Sequence, residues 1–138
     1  MVKDDVSGLS NLGSRKTEYK YDDPVKEILE TFPNQYPQRK YVIKFVFPEF
    51  TSLCPKTGQP DFGKISIDYV PDEKCLETKS LKLYFFAFRT HGSFMETIVN
   101  KILEDCVAVC SPIHMVVRGE FNSRGGVAIT VEATHSKE

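Results

Sequence analysis

Gly63-Lys64-Ile65-Ser66-Ile67-Asp68-Tyr69-Val70 decides the fold. Apolar and polar residues alternate along it without a break, the period of a strand with one face in a core and the other in water. Pro71-Asp72 stops it. Upstream, Arg39 to Phe47 alternates well enough for another strand, ended by Pro48. Between the two lies a loop rich in Pro, Gly and Thr, Pro48-Glu49-Phe50-Thr51-Ser52-Leu53-Cys54-Pro55-Lys56-Thr57-Gly58-Gln59-Pro60-Asp61-Phe62. Downstream, His114 to Phe121 and Val127 to Thr134 read as strands, joined through the hairpin signal Asn122-Ser123-Arg124-Gly125-Gly126.

Two helical segments separate these strand pairs. Lys79 to Arg89 sets Leu81, Phe85 and Phe88 at helical spacing and is apolar almost all round. It reads as a buried helix, with a strand as the alternative because the run is aromatic-rich. After His91-Gly92, Ser93 and Glu96 form a capping-box pattern that opens a second helix, running to about Cys110 and ended by Ser111-Pro112. Val25 to Phe32 suggests a short helix, capped near Asp22 or Asp23 with Pro24 in its first turn. The order ββααββ implies an α+β fold, an antiparallel sheet with two helices on one face. Residues 1–20 are expected to be a loose N-terminal segment and 21–138 a single domain. A four-stranded sheet leaves two edges, and a chain this short encloses little space for a deep pocket. Both facts favour an oligomer that joins sheets edge to edge and builds sites between subunits.

The charge balance argues against several classes. With 18 basic and 19 acidic residues, the net charge of -1 gives no basic surface for nucleic acid. No apolar run approaches the roughly 20 residues of a membrane span, and the start does not resemble a signal peptide. A cytoplasmic chain with reduced thiols is expected. Cys54, Cys75, Cys106 and Cys110 show no CxxC pairing and no zinc-type spacing with histidine, so no metal site is expected. Cys106 and Cys110, four apart on the second helix, suit core packing. Cys54 lies in a loop between rigid elements with Asp61 seven residues on, the setting a nucleophile and a proton donor need. A small buried cysteine and a turn aspartate account for the same letters.

Four segments together resemble one family: Glu49-Phe50-Thr51-Ser52-Leu53-Cys54-Pro55, Glu77-Thr78-Lys79-Ser80-Leu81-Lys82-Leu83-Tyr84, Phe88-Arg89-Thr90-His91-Gly92-Ser93-Phe94-Met95-Glu96, and Arg124-Gly125-Gly126. They look like the NADPH-dependent 7-cyano-7-deazaguanine reductases, the nitrile reductases of queuosine biosynthesis, in their short single-domain form. The resemblance covers about residues 30 to 134. It implies the tunnelling fold shared with GTP cyclohydrolase I, and a decamer of two pentamers with active sites at subunit interfaces. It assigns Cys54 as the nucleophile that forms a thioimide with the nitrile, and Asp61 as the proton donor. It gives base recognition to Glu96, further substrate contacts to Glu77 and Thr78, and NADPH binding to Lys79, Ser80, Lys82 and Arg124.

One position departs from the pattern. The family usually carries a histidine immediately before the recognition glutamate, and here that residue is Met95. Methionine fills volume but has no proton to give. Impaired reduction, leaving a deazapurine-binding protein, is therefore the alternative to the reductase. A zinc-dependent cyclohydrolase of the same fold lacks a recognisable ligand set here. A general thiol-reactive protein would react through Cys54 without preferring the nitrile base.

Overall fold

The computed structural model describes Tyr19 and residues 21–137; the N-terminal segment expected to be loose lies, apart from Tyr19, outside the described residues. A 3-10 turn at Lys26–Ile28 leads to β1 (Thr31–Pro33), followed by β2 (Ile43–Leu53), β3 (Pro60–Val70), β4 (Lys74–Leu76), α1 (Thr78–Phe86), α2 (Met95–Cys110), β5 (His114–Arg124) and β6 (Val127–Ser136). The main sheet is antiparallel throughout, in the order β2-β3-β5-β6. The ββααββ reading holds, with a small antiparallel pair, β1 with β4, added beside it.

Alternation in β3 translates directly into burial. Asp61, Gly63, Ile65, Ile67 and Tyr69 face inward, while Phe62 and Lys64 face outward. β5 adds Met115, Val117 and Phe121 to the inner face, and β2 adds Phe50. Against this face pack Leu81, Tyr84, Phe85 and Phe88 from the α1 segment and Ile98, Val99, Ile102 and Cys106 from α2. Their spacing of three and four places one stripe of each helix on the sheet. Gly119 lets that packing close: a Cβ there would lie 2.7 Å from both the Phe121 ring and Val99. The opposite sheet face carries the ion pairs Lys44–Asp68 at 3.0 Å, Lys64–Glu120 at 3.2 Å and Arg118–Glu132 at 3.2 Å, with Val46 and Phe62 exposed among them. Among the described residues β2 and β6, of 11 and 10 residues, are the edges of this sheet.

Three expectations need correction. The helix expected over Val25 to Phe32 is only the 3-10 turn; Thr31–Pro33 pairs with Lys74–Leu76 instead. Asp23 is not a helix cap but sits at φ 59. β2 does not stop at Pro48. It runs on to Leu53 through a register shift between Phe47 and Phe50, because an edge strand tolerates a residue without an N–H at a bulge. The capping box is absent as well. Ser93 spends its backbone N–H on the Leu53 carbonyl at 3.1 Å, so α2 begins at Met95 with Phe94 as its cap residue.

Candidate active site

The cysteine loop is a tight connection between β2 and β3. The Cys54 amide donates to the Gln59 carbonyl at 2.8 Å, and the Gly58 amide to the Cys54 carbonyl at 3.0 Å. Gly58, at φ +72, takes the left-handed step that this closure requires. The connection between α1 and α2 is stitched to the same loop. Leu53 donates its N–H to the His91 carbonyl at 3.1 Å and accepts from Ser93 at 3.1 Å, forming a short parallel bridge at Gly92. That bridge brings the start of α2, with Met95 and Glu96, beside Pro55 of the cysteine loop.

The result is a cleft of about 140 Å³ whose lining includes Pro55, Asp61, Met95, Glu96 and Arg124. Asp61 is buried on the inner face of β3 and pairs with Arg124 Nε at 3.3 Å. Arg124 also donates to the Gln59 side-chain oxygen at 3.4 Å. Glu96 stands exposed in the first turn of α2, where the positive end of the helix favours a carboxylate. The Cys54 thiol is drawn down to about 6 by donors around the sulfur. The Thr57 hydroxyl leads, followed by the backbone amides of Thr57 and Lys56 and the guanidinium of Arg124. A half-exposed thiol of this kind is largely thiolate at neutral pH. The other cysteines are buried, and burial pushes Cys110 up to about 12 and Cys106 higher still.

The remaining sequence-selected residues form a separate cluster at the start of α1. Glu77 is its N-cap: both carboxylate oxygens accept backbone N–H groups, from Lys79 and Ser80, each at 2.7 Å. Thr78 is the exposed first residue of the helix. The Ser80 hydroxyl donates to the Glu77 carbonyl at 2.9 Å and accepts from the Glu30 amide at 2.9 Å. Lys79 Nζ is buried and has no hydrogen-bond partner among the described residues. Its neighbour is the Tyr19 ring, with the centroid 5.5 Å away. Lys82 is exposed beside Phe86. Among the described residues no hydrogen bond or ion pair joins this cluster to the cysteine cleft. Arg124, grouped with the lysines on sequence, sits on the cleft. A larger cleft, about 600 Å³, lies around the β2 bulge and is lined by Pro48, Phe62, Lys64 and Arg89; it holds none of the expected site residues. Gln59 and Thr57 escaped the sequence reading because nothing local distinguishes them from ordinary turn residues.

The antiparallel sheet in ββααββ order, with two helices packed on one face, defines a class: the tunnelling fold. A solved structure titled archaeosine synthase QueF-Like, in the apo form, shares the fold at a TM-score of 0.65, with 21% identity over 70% of this chain and 95% of that one. The family model described as "QueF-like protein" matches residues 60–138. A relative from Chlorobaculum tepidum, named NADPH-dependent 7-cyano-7-deazaguanine reductase, is 55% identical over 81% of this chain and 96% of its own length. A relative of the same name from Neisseria meningitidis serogroup B is 51% identical over 97% of this chain and 85% of its own. The chain belongs to the QueF-like family.

Proposed function

We propose that this protein reduces the nitrile of 7-cyano-7-deazaguanine to 7-aminomethyl-7-deazaguanine with NADPH, through a thioimide on Cys54. The observation that carries the reading is a cleft lined by Asp61 and Glu96 beside the loop that bears the low-pKa Cys54 thiol, in a chain whose relatives bear that enzyme's name. The Cys54 sulfur adds to the nitrile carbon, and Asp61 takes up the proton that the thiol loses and delivers it to the nitrogen, giving a covalent thioimide. Glu96 accepts the ring N–H and exocyclic amine of the base as a charge-assisted pair. Over the full reaction one nitrile takes up two hydrides and two protons, and the Cys54 thiolate is released unchanged.

The α1 cluster suits a phosphate-bearing cofactor. A buried ammonium with no hydrogen-bond partner among the described residues is costly, and an anion relieves that cost. Lys79, Ser80 and Lys82 would hold NADPH, with Arg124 reaching it from the rim of the cysteine cleft. When bound, NADPH supplies the hydrides. Glu77 fixes the first turn that presents Thr78 to the substrate. The cysteine cleft, about 140 Å³, falls short of the roughly 300 Å³ at which small-molecule sites begin. A neighbouring subunit joined along the β2 or β6 edge would complete it, within the decamer that the family resemblance implies.

The test mixes the protein with 7-cyano-7-deazaguanine and NADPH, follows NADPH absorbance and weighs the intact chain. NADPH loss near two per nitrile, abolished in Cys54→Ala, is the expected result. A covalent adduct without NADPH loss would replace reduction with capture of the base. Absence of both would refute the proposal.

A further inference from the structure

Arg124 stands at the tip of the β5–β6 hairpin, where Gly125 and Gly126, at φ +62 and +85, turn the chain over the cysteine loop. From there its guanidinium meets the Asp61 carboxylate at 3.3 Å and the Gln59 side chain at 3.4 Å. Gln59 is the residue whose carbonyl pins the Cys54 amide at 2.8 Å. Arg124 is thus the cation that joins the β5–β6 hairpin to both the cysteine loop and Asp61. A planar fork with several N–H donors suits such a shared hold, whereas an ammonium is a single point charge.

We propose that Arg124 is a positioning residue for the nucleophile and the acid together, holding Cys54 and Asp61 in one frame from the hairpin tip before any cofactor arrives. This deepens the reading of the cleft given above, but its test needs no reductase turnover. Arg124 is one of the donors that draw the Cys54 thiol down, and the Asp61 carboxylate competes for the same guanidinium. Removing Arg124 takes a positive charge and a donor from the sulfur. Removing the Asp61 charge frees the guanidinium to serve the sulfur alone. Of the other charged or titratable groups nearby, Glu96 from α2 lines the cleft and carries negative charge, Lys56 lies in the cysteine loop, and His91 sits in the α1–α2 connection. All of these are unchanged in the variants.

The experiment titrates the Cys54 thiolate by its ultraviolet absorbance and by its rate with iodoacetamide. It uses the full chain without cofactor and compares wild type, Arg124→Ala, Arg124→Lys, Asp61→Asn and the double variant Arg124→Ala/Asp61→Asn. Arg124→Ala is expected to move the midpoint up, leaving about threefold less thiolate on the acid side, since it removes one of several donors. Asp61→Asn is expected to move it down, and to do so less when Arg124 is already absent. Arg124→Lys is expected to recover only part of the wild-type midpoint. An unmoved midpoint in Arg124→Ala, an upward shift in Asp61→Asn, strict additivity in the double variant, or full recovery by lysine would each overturn the proposal. Simple loosening of the fold would move both single variants the same way, which also counts against it.

Discussion

Replacing Gly92 by alanine tests whether the bridge between the two halves of the site sets its geometry. A Cβ at that position would lie 3.3 Å from the Pro55 Cα, 3.8 Å from the Cys54 carbonyl oxygen and 3.9 Å from the Pro55 Cβ. The shortest of these contacts is backbone, so either the cysteine loop or the start of α2 must yield by a few tenths of an ångström. Gly92 is exposed, and the contact is close but not overlapping, so the cost to stability is about 1 kcal/mol. For a chain of this size that lowers the melting temperature by about 4 °C. Catalysis is more sensitive. A misplacement of about 1 Å costs roughly a hundredfold, so a shift of a few tenths puts kcat/KM about tenfold down. Gly119→Ala supplies the contrast, because its Cβ would meet the Phe121 ring and Val99 at 2.7 Å inside the core, away from the thiol. That variant is expected to lose about 2 kcal/mol while the folded fraction keeps its turnover. The assay pairs NADPH-coupled kinetics with thermal unfolding for both proteins. Unchanged kcat/KM in Gly92→Ala would refute the reasoning, as would a stability loss as large as that of Gly119→Ala.

Other expectations concern protons and the exceptional residue in the cleft. Alkylation of Cys54 by iodoacetamide should show a midpoint of about 6, with Cys75, Cys106 and Cys110 silent until unfolding, as peptide mapping would reveal. A low-pKa thiolate is intrinsically a weaker nucleophile, so its advantage over an ordinary exposed thiol is about twofold at neutral pH and about tenfold near pH 5. Met95→His should raise kcat with little change in base affinity, since it adds a titratable donor beside Asp61 and Glu96; equal or slower turnover would remove Met95 as the cause of any deficit. Burial first, then the charge of Lys101, lowers the His91 pKa from 6.5. The folded chain therefore binds fewer protons there than the unfolded chain. This contribution to stability is complete above 6.5 and is lost as pH falls through the folded value. His91→Gln should flatten that part of the melting-temperature profile, and parallel wild-type and variant curves would show that His91 plays no part.

Much of this was legible in the sequence for physical reasons. β3 and the β5–β6 hairpin announce themselves because one face is buried and the other wet, so burial and letters share a period. α2 is legible for the same reason, from Ile98, Ile102 and Cys106. What escaped has no period. β1 and β4 are only three residues each and exist because they pair with each other. β2 passes through Pro48 because, among the described residues, its outer edge carries no partner strand, a fact of topology rather than of local preference. Ser93 has the letters of a cap, but its amide is claimed by Leu53, forty residues earlier in the chain. Cys54, Asp61 and Glu96 were legible as a motif, and the cleft gathers Asp61 and Glu96 beside the cysteine loop. The Arg124–Asp61 pair was not, because it depends on how far the hairpin tip reaches across the sheet.

The strand order has a consequence for how the chain acquires its chemistry in time. β2 with β3, and β5 with β6, are local hairpins that can form early, whereas β3 and β5 become neighbours only after residues 71–113, including both helices, have been closed into a loop. Cys54 and Asp61 belong to the first hairpin and Arg124 to the second. Acid-side thiol reactivity should then lag behind secondary structure during refolding and mature only when that central seam zips, making Cys54 a clock for the slow, non-local stage of folding.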